Sequence, residues 1–202
     1  MDFPPGLPNP SQASCILAPN TRVHTSPLTN SEQSVSLPGS VWKVSYGWGL
    51  LLEPQWRRMS AFVAGLGGTA GRFNFSPLHA PRRATGTGTP VIDGANQLGT
   101  TLNLRGWAPG AQAFLAGDFL SYVDTSSRPR LHIALADAIA DVDGKAAVLV
   151  APPLRRPGND GAPVEIAAPY GIFRLATNED GEVQFSRGSN GSIAMDLQEA
   201  LF

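Results

Sequence analysis

Charge is scarce in this chain. Asp, Glu, Lys and Arg supply only 15% of its 202 residues, against about 25% in an average domain, so much of the folded surface is uncharged. A surface rich in Ser, Thr, Asn, Gly and Pro suits a protein that buries area against neighbours, and it equally suits a loop-rich β protein. The net charge is −1 and the basic residues are scattered, which removes the electrostatic footprint of a nucleic-acid or membrane-surface binder. The pairs Arg57-Arg58, Arg82-Arg83 and Arg155-Arg156 are each too short to track a phosphate backbone.

Thiols and imidazoles are scarcer still. Cys15 is the only cysteine, which excludes an intrachain disulfide and any zinc site built from several thiolates. His24, His79 and His132 stand alone, with no His-x-x-x-His or Cys-x-x-Cys spacing, so no metal or cofactor is expected. Cys15 and one of these histidines would form a thiol and its base only if the fold joined them. The N-terminus, MDFPPGLPNPSQAS, lacks a basic region followed by an apolar run, and no stretch reaches the roughly 20 apolar residues of a membrane span. The expectation is a chain made in the cytoplasm, without export or a membrane span.

Motifs that would carry catalysis are tested in the same way. No Gly-x-Ser-x-Gly elbow occurs, and Gly188-Ser189-Asn190-Gly191 reads as a turn. Asp137, Asp141 and Asp143 precede Gly144 but lack the later bidentate glutamate of a calcium loop; a hairpin turn is expected. Gly65 to Gly71 has the glycine density of a phosphate loop but follows a helix and opens a strand, the reverse of the required order. Glu53, Asp93, Asp118 and Glu165 are the carboxylates available for glycan cleavage, and the sequence places no two of them in one cleft. Trp42, Tyr46, Trp48, Trp56 and Trp107 could line a sugar-stacking groove, but core packing accounts for them first. No catalytic residue is therefore assigned.

What is present is β pattern around one helix. Residues 1–14, with four prolines, read as an extended arm, and residues 15–38 as short strands with irregular links. Trp42, Val44 and Tyr46 alternate with Val41, Lys43 and Ser45, giving a strand with one aromatic face. A helix begins near Glu53-Pro54, with Trp56, Met59, Phe62, Val63 and Leu66 on one side and Gly67-Gly68 at its end. That side is expected to cover the Trp42 face. Residues 76–97, with Thr85-Gly86-Thr87-Gly88-Thr89, read as a long exposed excursion. Strands are then expected over Leu98–Leu104, Phe119–Val123, Leu131 to about Ile139 and Ala146–Val150, followed by a hairpin of Ile172–Thr177 with Glu182–Ser186 and a last strand over Ser192–Leu197. The fold class is mainly β (α+β), with β-sandwich or small β-barrel modules and one helix packed on a sheet. The expected divisions are 1–14, 15–104 and 105–202.

Two pieces of this pattern carry a resemblance. Trp56-Arg57-Arg58-Met59-Ser60-Ala61-Phe62 with Gly71-Arg72-Phe73 is similar to the helix and strand unit of many phage tail proteins. Gly117-Asp118-Phe119-Leu120, Leu131-His132 and Ala147-Val148-Leu149-Val150 through Pro152-Pro153-Leu154-Arg155 resemble their small β-barrel, and Met195 to Leu201 their C-terminal strand. Over about residues 40–75 and 105–202 the chain resembles the distal tail or tail-tip hub proteins of long-tailed bacteriophages, though it is shorter than many of them. The resemblance implies a non-enzymatic virion protein of the tail tip, a homo-oligomeric ring joining the tail tube protein to hub, tip or fibre proteins. Rings of this class are commonly hexameric, with some tip components trimeric. Residues 1–14 and 76–97 are the segments expected to reach neighbours. Two other classes stand beside this one: a carbohydrate-binding β module using Trp48 or Trp107, and a glycan-cleaving enzyme.

Overall fold

The computed structural model describes residues 2–77, 82–185 and 190–201, except the side chains of residues 36 and 38. Along the chain run β1 (Gln12–Thr25), β2 (Glu32–Leu51), α1 (Glu53–Leu66), β3 (Phe73–Phe75), β4 (Gly88–Ile92), β5 (Gly99–Trp107), β6 (Gln112–Phe114), β7 (Phe119–Val123), β8 (Pro129–Ala134), β9 (Ala138–Ile139), β10 (Lys145–Leu154), β11 (Val164–Glu165), β12 (Gly171–Leu175), β13 (Val183–Phe185) and β14 (Gly191–Glu199). The protein is mainly β with one α-helix among the described residues, as its alternation and single 3.6-residue pattern predict. No helix among them is long and apolar enough to cross a membrane.

The chain forms two compact units, Met1–Phe73 with Phe173–Phe202, and Asn74–Ile172 between them. The second unit is an insertion. The expected boundary after Leu104 falls inside β5, whose Leu102, Leu104 and Trp107 are buried in one core.

The first unit is a sheet in the order β1-β2-β14-β12-β3, with β13 also on β14. Trp42, Val44, Tyr46 and Trp48 of β2 are buried on one face, as the period of two requires. α1 buries Met59, Phe62 and Leu66, and the Phe62 ring meets Phe73 edge-on at 5.1 Å. The helix starts where Gln55 Oε1 accepts the Leu52 N–H at 2.9 Å, and it stops at Gly67, whose φ of 64° is left-handed. Of the expected arm over 1–14, residues 3, 8 and 12–14 lie on the chain's own first unit. Phe3 packs 5.6 Å from Phe62 and 6.3 Å from Trp48, and Trp48 Nε1 donates to the Pro8 carbonyl at 2.9 Å. Gln12–Ser14 already belong to β1. The expected hairpin of 172–177 with 182–186 is also corrected: β12 and β13 both pair with β14, at Glu199–Leu197 and Ile193–Gly191. Ser186 lies outside the described residues.

In the second unit, a sheet in the order β11-β7-β8-β10-β5-β4 nearly closes on itself through a bridge between Val91 and Pro163. Ile92, Leu104, Phe114, Leu120 and Val148 fill it, each with no exposed surface. Part of 76–97 is therefore not an excursion, because β4 is a strand of this barrel; Leu78 to Pro81 lie outside the described residues. Glycine hid it: a Cβ at Gly88 would stand 2.5 Å from Gly106 O, so the close approach of β4 to β5 excludes a side chain. The strand expected from Leu131 to Ile139 breaks after Ala134, and Ala138–Ile139 pair with β6 instead. Asp137 holds the break by accepting the Ala116 N–H at 2.8 Å.

Candidate assembly surface

β1 and β2 form a hairpin much longer than the sheet that carries it. β2 pairs with β14 only from Lys43 to Leu51, whereas its pairing with β1 continues out to Thr25 and Glu32. Beyond a bulge between Ala18 and Asn20, the pairs Asn20–Leu37 to Thr25–Glu32 make a two-stranded ribbon. Leu28 at its turn is 93% exposed, Val23 57% and Val35 40%. The short strands with irregular links expected here are thus one hairpin. Pro19 disguised it by sitting at the bulge of an edge strand, where its missing donor is tolerated; Thr29-Asn30-Ser31 lie at its turn, with Asn30 at φ 52°.

Directly opposed residues share a face of a ribbon. Asn20, Arg22 and His24 thus lie with Leu37, Val35 and Gln33, a face whose one formal charge is the positive Arg22. Among the described residues nothing pairs with Arg22.

The sheet's outer face is small and polar. Ser14, Ser45 and Asp196 stand in one row, and Ile16, Lys43 and Gln198 in the next. A cleft of about 300 Å³ follows these rows, and one of about 540 Å³ lies beyond Gln12, Gly47 and Ala194. The larger is bounded by the 177–182 turn, which contributes Glu179, Asp180 and Glu182, with no basic side chain among the described residues lining it. The turn is fixed by Thr177 Oγ1 donating to Asp180 Oδ2 at 3.0 Å.

The residues weighed for chemistry have other occupations. Glu53 is ion-paired with Arg57 on the exposed side of α1 at 2.7 Å. Asp93 bonds Arg105 at 2.8 Å and Lys145 at 3.0 Å. Asp118, 4% exposed, accepts the backbone N–H groups of Arg83, Ala84 and Leu115. Glu165 accepts those of Ala167 and Ala168. Asp141 Oδ1 accepts from Asp143 and Lys145 within the expected hairpin turn, where Gly144 has φ 71°. Cys15 is exposed on β1; His24 is nine residues along the same strand, about 30 Å away at the rise of a strand. His132 is buried with its Nδ1 2.8 Å from Pro152 O, and His79 lies outside the described residues. Trp48 and Trp107 are each 4% exposed, so neither offers a ring face to a sugar. Arg82 stacks 4.9 Å over Trp107 and 5.5 Å over Phe114 and donates to the Ala113 carbonyl, a structural role for half of one arginine pair.

No protein-family model matches the chain, and no curated protein matches it.

Proposed function

We propose that the chain is a structural subunit of a phage tail tip, a ring-forming distal tail or hub protein joining the tail tube to the tip or receptor-binding fibres, with six copies favoured over three. The resemblance over residues 40–75 and 105–202 supplies the identity of the assembly. The observation that carries the assembly itself is the β1–β2 ribbon. An isolated two-stranded ribbon is marginal in water, and this one keeps Val23, Leu28 and Val35 exposed. With the turn and the facing part of β2, the 14 residues of β1 amount to one side of a standard interface, about 20–30 residues. A closed ring needs two different surfaces on each copy, and the ribbon is one of them. Its place in this reading is the tail tip of the virion, after synthesis in the host cytoplasm.

Sedimentation velocity over a range of concentrations, with negative-stain images, tests the reading. Closed rings of six or three copies are expected. A chain that stays monomeric at every concentration, alone and mixed with the tail tube protein of its phage, overturns it.

One observation favours a second reading, glycan binding: the cleft of about 540 Å³ is within the size range of small-molecule sites and is lined by hydroxyl, amide and carboxylate groups such as Ser11, Gln12, Gln184 and Glu182. Binding on a glycan array that disappears in Gln184→Ala would support it.

A further inference from the structure

The ribbon needs a receptive surface. We infer that, in the ring proposed above and resting on that reading, the ribbon of one copy lies across the outer sheet face of the next, with its Arg22 face against the cleft bounded by the 177–182 turn.

Three observations select this occupant over others. The first is charge. The ribbon face holding Arg22, His24 and Val35 has no acid, while the cleft is lined by Glu179, Asp180 and Glu182 without a basic side chain among the described residues. In a chain so poor in charge, these opposite patches are the complementary pair that a second copy supplies automatically. The second is shape. Gly47, Gly49, Ser192 and Ala194 in the cleft lining are small, so another backbone can approach closely. The third is topology. Ribbon and cleft are different surfaces of the same copy, so the contact is heterologous and can be repeated around a closed ring.

The bulge between Ala18 and Asn20 faces Gly39, whose φ is 116°, so the ribbon leaves the sheet at a point of altered twist. This separates the docking element from the strands that form the unit's own core.

Charge reversal tests the contact. Arg22→Glu and Glu182→Arg are exposed substitutions that leave the core untouched, and far-UV circular dichroism checks that each variant folds. Each alone is expected to weaken assembly about tenfold or more, measured by sedimentation velocity, and the double variant R22E/E182R is expected to recover most of it. Hydrogen exchange supplies the second readout: amides of Asn20–Thr25 and Glu32–Leu37 are expected to be protected in the ring and to exchange faster in dilute monomer. Rings of wild-type protein whose ribbon amides remain unprotected, or that form equally well from R22E, overturn this inference and leave the assembly reading standing. A wild-type chain that never assembles overturns both.

Discussion

His132 gives the sharpest test of the barrel's interior. Its ring is 3% exposed, stacks parallel to Tyr122 at 5.4 Å, and has Nδ1 2.8 Å from the Pro152 carbonyl. A carbonyl only accepts, so Nδ1 carries the proton of the neutral ring, and Nε2 has no hydrogen-bond partner among the described residues. Protonating Nε2 would create a buried donor with nothing to receive it. Burial therefore pushes the pKa down from 6.5 to about 4; the bond to Pro152 opposes this, and the charges of Arg155 and Arg130 reinforce it. The sign follows from linkage. The unfolded chain binds a proton near pH 6.5 and the folded chain does not until about pH 4, so the contribution is fully present above 6.5 and is lost as pH falls toward 4. At pH 4.5 the loss is about 2–3 kcal/mol. Asp93 and Asp160 are held below the usual carboxylate range by their bonds to Arg105, so their contributions fade from the ordinary carboxylate value of 3.8 downward, below the window from 7 to 4.5. Within that window the difference between wild type and a His132 variant isolates this imidazole. Urea unfolding of wild type and His132→Gln across that window should show the wild type losing about 2–3 kcal/mol more than the variant, and the His132 ring signals in NMR should stay in the neutral position until close to pH 4. Equal pH slopes for the two proteins would refute the reasoning.

Gly106→Ala, at φ 99° with a Cβ 2.5 Å from Thr89 O, should cost about 2–4 kcal/mol in urea unfolding, because strain and a backbone clash add; Gly94→Ala, at φ 98° with nothing near, should cost only about 1 kcal/mol. Asp118→Ala removes the acceptor of three backbone N–H groups and should destabilise by at least about 2 kcal/mol, with faster hydrogen exchange at Arg83 and Ala84. Phe3→Ala should lower the unfolding free energy of the first unit by about 2–4 kcal/mol, whereas a free arm would show no change. Residues 74–172 expressed alone should unfold cooperatively, since their core and sheet closure are internal; a broad, non-cooperative transition would count against an independent unit.

Legibility followed how much of each signal was local. The α1 face, its Pro54 start and its Gly67 stop are contained in about four turns of sequence, and the Trp42 alternation needs only the period of a strand. What escaped depends on partners distant in sequence. β4 is hidden because it starts inside the Thr85 to Thr89 run, and its Gly88 is dictated by the close approach of β5, not by turn chemistry. The inserted unit is invisible because Phe73 and Phe173, 100 positions apart, meet again only through the order of the sheet. Phe3 looked unsupported among prolines since its neighbours, Trp48 and Phe62, are far along the chain. The outer face was half legible: the alternation that exposed Trp42 and Val44 as core also put Lys43 and Ser45 outward, but the turn that walls its cleft was read as part of a hairpin.

The scarcity of charge takes on a different meaning once the pairs are placed. Arg57 is engaged with Glu53, Arg130 with Asp124, and Arg105 with both Asp93 and Asp160, so each of these charges is engaged within its own unit. A merely loop-rich β protein would be expected to place solvating charge on its longest exposed element. Here the ribbon from Asn20 to Leu37 has only Arg22 and Glu32 as formal charges, and they fall on opposite faces. An exposed edge with few charges and protruding Val23 and Leu28 lacks the usual protection against pairing with other chains. That combination supports an element covered in its working state.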